Sequence, residues 1–221
     1  MNDSVKRLNR LDCCAVSDAL DKLGLRDRVV SGLEQRSTTR RIAGRVVTYR
    51  LVPADKAPPP AGGAPRHLGT TAIELVQPGE VIVVEQRTGL DAGSWGGILT
   101  LGAKVRGVAG VIADGPVRDV DEARAYDFPV YCRALTAKTA RGRVVEAEVN
   151  QRITIGDVTV DAGDYVIADA SGVAFIPAGD VERVLDAAET IAGREAAMAK
   201  ALLAGQPIAQ VMGADYEHML R

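Results

Sequence analysis

Residues 94–119 read SWGGILTLGAKVRGVAGVIADGPVRD, and the fold turns on this stretch. Gly96 and Gly97 follow Trp95 and open a helix-like run over residues 98–106. Residues 108–113 then read as a short buried strand. Asp114, Gly115, Pro116, Arg118 and Asp119 make a polar turn at its carboxyl end. A helix start, a buried strand and a polar loop at the strand's end is how α/β proteins present a site.

The surroundings extend this rhythm. Residues 81–85, VIVVE, predict a buried strand just before the stretch, and residues 129–132 predict one just after it. With a short helix at 120–126, the run from 81 to 132 alternates strand and helix in βαβ fashion. Residues 42–52 favour a strand through Val46, Val47, Tyr49 and Leu51. Residues 68–76 predict a short helix. Beyond Cys132 the pattern changes to short strands at 144–149, 153–155, 158–160, 165–168 and 173–176, separated by turns such as Gly156-Asp157.

The two ends read as helical. Residues 8–23 carry a stripe of Leu11, Cys14, Ala15, Ala19, Leu20 and Leu23, closed by Gly24. Residues 181–203 carry Leu185, Ala188, Ile191 and Ala192 on one face. The tail, 206–221, reads as irregular or briefly helical. Residues 54–65 hold four prolines, Pro58, Pro59, Pro60 and Pro65, and read as a loop, either a surface excursion or a flap over a pocket. No repeat or low-complexity linker divides the chain. The expectation is one α/β domain over 1–221, a central β core flanked by helices, with an N-terminal helix and a C-terminal helical extension.

Composition narrows the function. The chain has 221 residues, is 47% hydrophobic and 25% charged, and carries a net charge of −2. That balance makes no electrostatic case for nucleic acid. No apolar run approaches the roughly 20 residues of a membrane span, and the first residues lack the apolar core of a signal peptide. The expectation is a cytoplasmic protein with no membrane or nucleic-acid partner. Cys13, Cys14 and Cys132 form no CxxC, and only His67 and His218 join them, so a zinc site is not expected. Cys14, in the helical stripe, reads as a buried structural thiol. Oxygen ligands, and hence Mg²⁺ or Mn²⁺, suit this chain better.

Arg118 and Asp119 are the chemically suggestive pair. A guanidinium fork suits a carboxylate guest, and a neighbouring carboxylate suits a hard divalent cation. Together they match a 2-oxo acid: Arg118 on its carboxylate, a metal on Asp119 polarising its 2-oxo group. The plainer alternative is a local ion pair capping a helix. Gly96 and Gly97 expose backbone N–H groups at a helix start, which favours an anion; close helix packing is the alternative there.

The stretch GGILTLGAKVRGVAGVIADGPVRD resembles the central signature of the RraA-like family. That family includes class II 4-hydroxy-4-methyl-2-oxoglutarate/4-carboxy-4-hydroxy-2-oxoadipate aldolases, regulators of ribonuclease E, and members once labelled demethylmenaquinone methyltransferases. The similarity also takes in VSDALDKLG (16–24), RIAGRVVTYR (41–50), PGEVIVV (78–84), FPVY (128–131) and VTVDAGDYVIADASGVAFIP (158–177). It implies a compact α/β unit similar to the phosphohistidine swivelling domain, assembled as trimers or hexamers with sites between subunits. It implies a metal-dependent lyase that releases pyruvate by retro-aldol cleavage or oxaloacetate decarboxylation; the alternatives are a related metal-dependent enzyme on a different small carboxylate substrate, or a non-catalytic protein-binding regulator of the ribonuclease E inhibitor type. By the same resemblance Arg118 binds substrate and Asp119 contacts the metal. The backbone at Gly97, Ile98 and Leu99 receives the pyruvate carboxylate, and Glu195 reaches the metal's water shell from a neighbouring subunit. One departure stands out: the aldolases have an aspartate where this chain has Gly97. Asp91 and Glu85 are the two nearby candidates to replace it.

Overall fold

The computed structural model describes residues 3–57 and 67–213. The chain opens with helices α1 (Asp3–Leu8) and α2 (Cys13–Lys22). Two short strands follow, β1 (Val29–Val30) and β2 (Glu34–Gln35), and then the long strand β3 (Ile42–Pro53). Next come α3 (Thr70–Leu75), β4 (Val81–Glu85), α4 (Gly97–Val105), β5 (Gly110–Val117), α5 (Val120–Ala125) and β6 (Val130–Leu135). The second half adds β7 (Val144–Val149), β8 (Ile153–Ile155), β9 (Val158–Val160), β10 (Tyr165–Ala168) and β11 (Val173–Ile176). It closes with α6 (Val181–Leu203) and α7 (Ile208–Val211). The proposed flap falls largely on residues 58–65, which lie outside the described residues, as does His218.

Strand β3 organises the sheet, whose order is β1-β11-β10-β3-β4-β5-β6-β2. Its first half pairs with β10, its middle with β4 and its last residues with β7. From β3 to β6 the strands run parallel. The expected βαβ rhythm is therefore real, and its connecting helices lie against one face. The VIVV run of β4 shows why parallel strands lack alternation. Ile82 and Val84 pack into the core beneath α3, α4 and α5, while Val81 and Val83 face the opposite core formed with β8 and β9. Across that second core, Tyr131 of β6 donates its hydroxyl to the Ala168 carbonyl of β10 at 3.0 Å, which records how far the sheet curls. A third cluster packs α1, α2 and α6 over β10 and β11. The result is a mixed α/β fold with a curled central sheet. No helix among the described residues is long and apolar enough to cross a membrane.

Two expectations are corrected. The single helix over 8–23 is two helices. Asp12 accepts the Ala15 N–H at 2.8 Å and so starts α2 afresh as its N-cap. Leu11, Ala15, Ala19 and Leu20 of the expected stripe are buried, but Cys13 is buried and Cys14 exposed, the reverse of what the stripe gave for Cys14. Cys13 places its thiol against the carbonyls of Ile167 and Gly172, and burial pushes its pKa up to about 12. The second correction concerns β5, which continues through Asp114, Gly115 and Pro116 to Val117 instead of ending at Ala113. A register shift against β6 between Ala113 and Pro116 absorbs the Gly-Pro step, as a bulge does.

Candidate functional site

The end of β5 and the start of α4 are stitched together by hydrogen bonds. The Pro116 carbonyl accepts from both the backbone N–H and the hydroxyl of Ser94, each at 2.8 Å. Arg118 N–H donates to the Trp95 carbonyl at 3.0 Å. Beneath the loop, the buried Tyr49 hydroxyl of β3 donates to the Ser94 carbonyl at 2.7 Å. Trp95 Nε1 donates to Thr100 Oγ1, which in turn donates to the Gly96 carbonyl. These bonds fix residues 94–97 beside 116–119, so Gly96 and Gly97 meet Arg118 and Asp119.

Asp119 has φ 58 and ψ 37, the left-handed conformation that a non-glycine residue adopts at a cost. It precedes α5 but does not cap it. Its Oδ2 accepts the Gly97 N–H at 3.0 Å, so the carboxylate caps α4 instead. Arg118 Nε donates to both Asp119 oxygens, at 3.2 and 3.1 Å. The terminal guanidinium nitrogens make no hydrogen bond among the described residues, and the Arg118 side chain is 36% exposed. The expected ion pair is thus present, yet it leaves the outer edge of the fork open for a guest. Ile98 and Leu99, next in α4, have backbone N–H groups without an intrahelical acceptor, at the positive end of a nine-residue helix.

These groups line a cleft of about 370 Å³. Trp95, Gly96, Gly97, Ile98, Leu99, Arg118 and Asp119 form one wall, and His67, Leu68, Thr139, Ala140 and Arg141 the other. All five predicted residues near Arg118 are therefore brought together. The second wall gave no sequence signal, because it reaches the site only through the pairing of β7 with β3 and the packing of Leu68 and Ala140 into the same core.

The glycines leave room for two carboxylates. Gly96 is extended at φ −157, which any residue adopts, but a Cβ there would stand 2.9 Å from Asp119 Oδ2. A Cβ on Gly97 would lie 1.6 Å from Glu122 Oε2. Glu122, three residues past Asp119 in the first turn of α5, therefore leans its carboxylate over Gly97. Neither Glu85 nor Asp91 does so. Glu85 is held by Arg50 Nε at 3.1 Å and by the Thr154 N–H at 2.7 Å. Asp91 pairs with Lys138 at 2.8 Å and faces a different depression.

That depression is larger, about 650 Å³, but its central carboxylate is committed. Asp114, 6% exposed, accepts from Arg133 Nε at 2.6 Å and from the Gly156 N–H at 2.7 Å. It holds β5, β6 and the β8–β9 turn together. Glu195 lies on α6, which packs with α2 over the far part of the sheet, so within one chain it does not join the cleft. Its carboxyl is held above the usual range, first by partial burial and then by the nearby Asp12 and Asp18.

A hard divalent cation fits the donors at hand. Among the described residues no group of three or more His, Cys, Asp or Glu side chains gathers to cage a metal. Mg²⁺, however, is usually bound by only one or two carboxylates and keeps several waters. Asp119, 31% exposed at its side chain, offers one such carboxylate on the cleft wall.

Comparison with known proteins gives a consistent picture. Residues 13–175 match the family model described as RraA-like, Aldolase/RraA. Protein DlpA of Legionella pneumophila is 28% identical over 210 residues, covering 95% of this chain and 33% of that protein. The chain thus spans about a third of that relative's length. A 4-hydroxy-4-methyl-2-oxoglutarate aldolase of Thermus thermophilus is 30% identical, over 62% of this chain and 76% of the aldolase. Among solved structures, Streptomyces coelicolor RraAS2, described as an unusual member of the RNase ES inhibitor RraA protein family, superposes with a TM-score of 0.77. It is 25% identical and covers 88% of this chain and 94% of that one.

Proposed function

This chain belongs to the RraA-like family, and from that premise we propose that it is a divalent-metal-dependent lyase that cleaves a C–C bond in a small 2-oxo acid and releases pyruvate. One observation carries the reading. Asp119 and the open fork of Arg118 meet at the glycine N-terminus of α4, so a carboxylate guest and a hard cation have adjacent places.

The residues divide the work. The outer edge of Arg118 grips the substrate carboxylate, and the Ile98 and Leu99 N–H groups supply further donors at the positive end of α4. Asp119 would hold Mg²⁺ or Mn²⁺, which supplies Lewis-acid polarisation of the 2-oxo group. Its bonds from Gly97 and Arg118 keep that carboxylate fixed in orientation. Trp95 and Leu99, buried at the cleft wall, exclude water from one side. Glu195 would complete the site from a second copy of the chain in a trimer or hexamer. The exposure of Ile98, Leu101 and Val105 on α4, at 82%, 39% and 78%, supports such an assembly beside the cleft.

The test is pyruvate release from oxaloacetate and from 4-carboxy-4-hydroxy-2-oxoadipate, with Mg²⁺, with Mn²⁺ and after chelation. Metal-dependent release is expected. No release from a folded protein sinks the reading. It would favour the second one, a protein-binding regulator of the ribonuclease-inhibitor kind, which the likeness to RraAS2 supports and which would survive Asp119→Ala.

A further inference from the structure

We propose that Glu122 is the general base of the aldol cleavage, delivered from α5 across the gap that Gly97 leaves. The inference rests on the lyase reading above and adds to it the residue that moves the proton.

The Glu122 carboxylate lies over Gly97. A Cβ at position 97 would meet Glu122 Oε2 at 1.6 Å, its Cδ at 2.4 Å and Oε1 at 3.1 Å. The Glu122 carboxylate thus occupies the place where a side chain at 97 would begin, so a residue with a Cβ there would require the Glu122 tip to move. Asp119 Oδ2 stands over the neighbouring glycine, 2.9 Å from where a Gly96 Cβ would be. Two carboxylates therefore flank one Gly-Gly step, and their partners set their roles apart. Asp119 is tied to Arg118 and to the Gly97 N–H. The Glu122 carboxylate has no hydrogen-bond or ion-pair partner among the described residues, so nothing in the fold uses its lone pairs. Arg118 and Asp119 line both the main cleft and the adjoining depression that contains Glu122, so they form the wall that the two spaces share.

Retro-aldol cleavage needs a base at one atom. Glu122 takes the proton of the substrate's 4-hydroxyl, directly or through one water. The O–H electrons become the new C=O bond, the C3–C4 bond breaks, and its pair forms the enolate of pyruvate. Protonated Glu122 then returns the proton to C3, which completes pyruvate and restores the carboxylate. Oxaloacetate decarboxylation has no hydroxyl proton to remove, so it does not need this base.

The difference between the two reactions is the test. In Glu122→Gln, which keeps the shape, cleavage of 4-carboxy-4-hydroxy-2-oxoadipate should fall by about 10²-fold or more. Decarboxylation of oxaloacetate should stay within about fivefold, which a general structural defect would not allow. Mn²⁺ affinity, read by electron paramagnetic resonance, should be unchanged. The paired variant Gly97→Asp with Glu122→Ala should recover at least tenfold over Glu122→Ala alone. Equal loss of both reactions in Glu122→Gln, or loss of neither, overturns the role of Glu122 and leaves the lyase reading standing. If the native chain turns over neither substrate, the lyase reading itself fails and takes this role with it.

Discussion

Asp119 Oδ2 accepts the Gly97 N–H at 3.0 Å, across a gap of 22 residues in sequence. One carboxylate thereby caps α4 and faces the cleft, and its two duties separate by mutation. Asp119→Asn keeps an oxygen acceptor for Gly97 and tolerates φ 58. Its melting temperature should stay within a few degrees of the native value, while pyruvate release falls by more than about 10²-fold. Asp119→Ala should lose the same activity and also roughly 2 kcal/mol of stability, about half from the cap and half from backbone strain. Urea unfolding of the two variants beside steady-state turnover checks both halves. An Asn variant as active as the native chain would remove Asp119 from the chemistry.

Arg118→Lys tests whether the fork matters. Lysine keeps the charge but cannot pair with Asp119 through one edge and with a guest carboxylate through the other. We expect KM for oxaloacetate to rise at least tenfold, worth about 1.4 kcal/mol, with kcat changed less. An unchanged KM would mean that the guest carboxylate is held by the α4 N–H groups alone.

Much of this was legible from residue patterns. The strands at 81–85, 144–149, 153–155, 158–160, 165–168 and 173–176, and the helix at 181–203, coincide with those expected. Each is bounded by turn residues or a helix start, so local chemistry sets its ends. The misjudged pieces depend on distant partners. β5 runs on through Gly115 and Pro116 because β6 lies beside it, and β1 and β2 exist only as two-residue additions to β11 and β6. The site divides the same way. Arg118 and Asp119 are adjacent in sequence and were visible; His67 and Arg141 reach the cleft only through the fold. Glu122 had a faint signal, three residues past Asp119 at a helix start, but only the place of its carboxylate over Gly97 gives that spacing meaning.

Arg133→Met should test the other depression as architecture. It leaves the buried Asp114 without its 2.6 Å partner. Breaking a buried pair costs about 3–5 kcal/mol, but Arg133 is 34% exposed and Arg87 stands 3.8 Å from the same carboxylate. We expect a loss of about 2 kcal/mol in urea unfolding. Turnover per folded molecule should be retained, because neither residue lines the cleft with Asp119. Lost turnover in a stable variant would instead make this depression part of the site.

Glu195 offers a prediction in which stability and function pull in opposite directions. Its folded carboxyl is held above the usual range by partial burial, reinforced by Asp12 and Asp18. The ordinary glutamate value is about 4.3. Between that value and the raised folded one, the folded chain binds more protons than the unfolded chain. Stability therefore falls as pH rises through this window and stays lower at neutral pH. Glu195→Gln removes the charge, so in the presence of a chelator it should melt above the native chain at pH 7. The difference should close near pH 4, and it should be small because Glu195 is exposed. If Glu195 also serves a neighbouring copy's cleft, the same variant loses metal-dependent turnover while gaining stability. A variant that melts lower at pH 7 in the chelator would mean that the Glu195 charge is favourable in the folded chain and that Asp12 and Asp18 do not burden it.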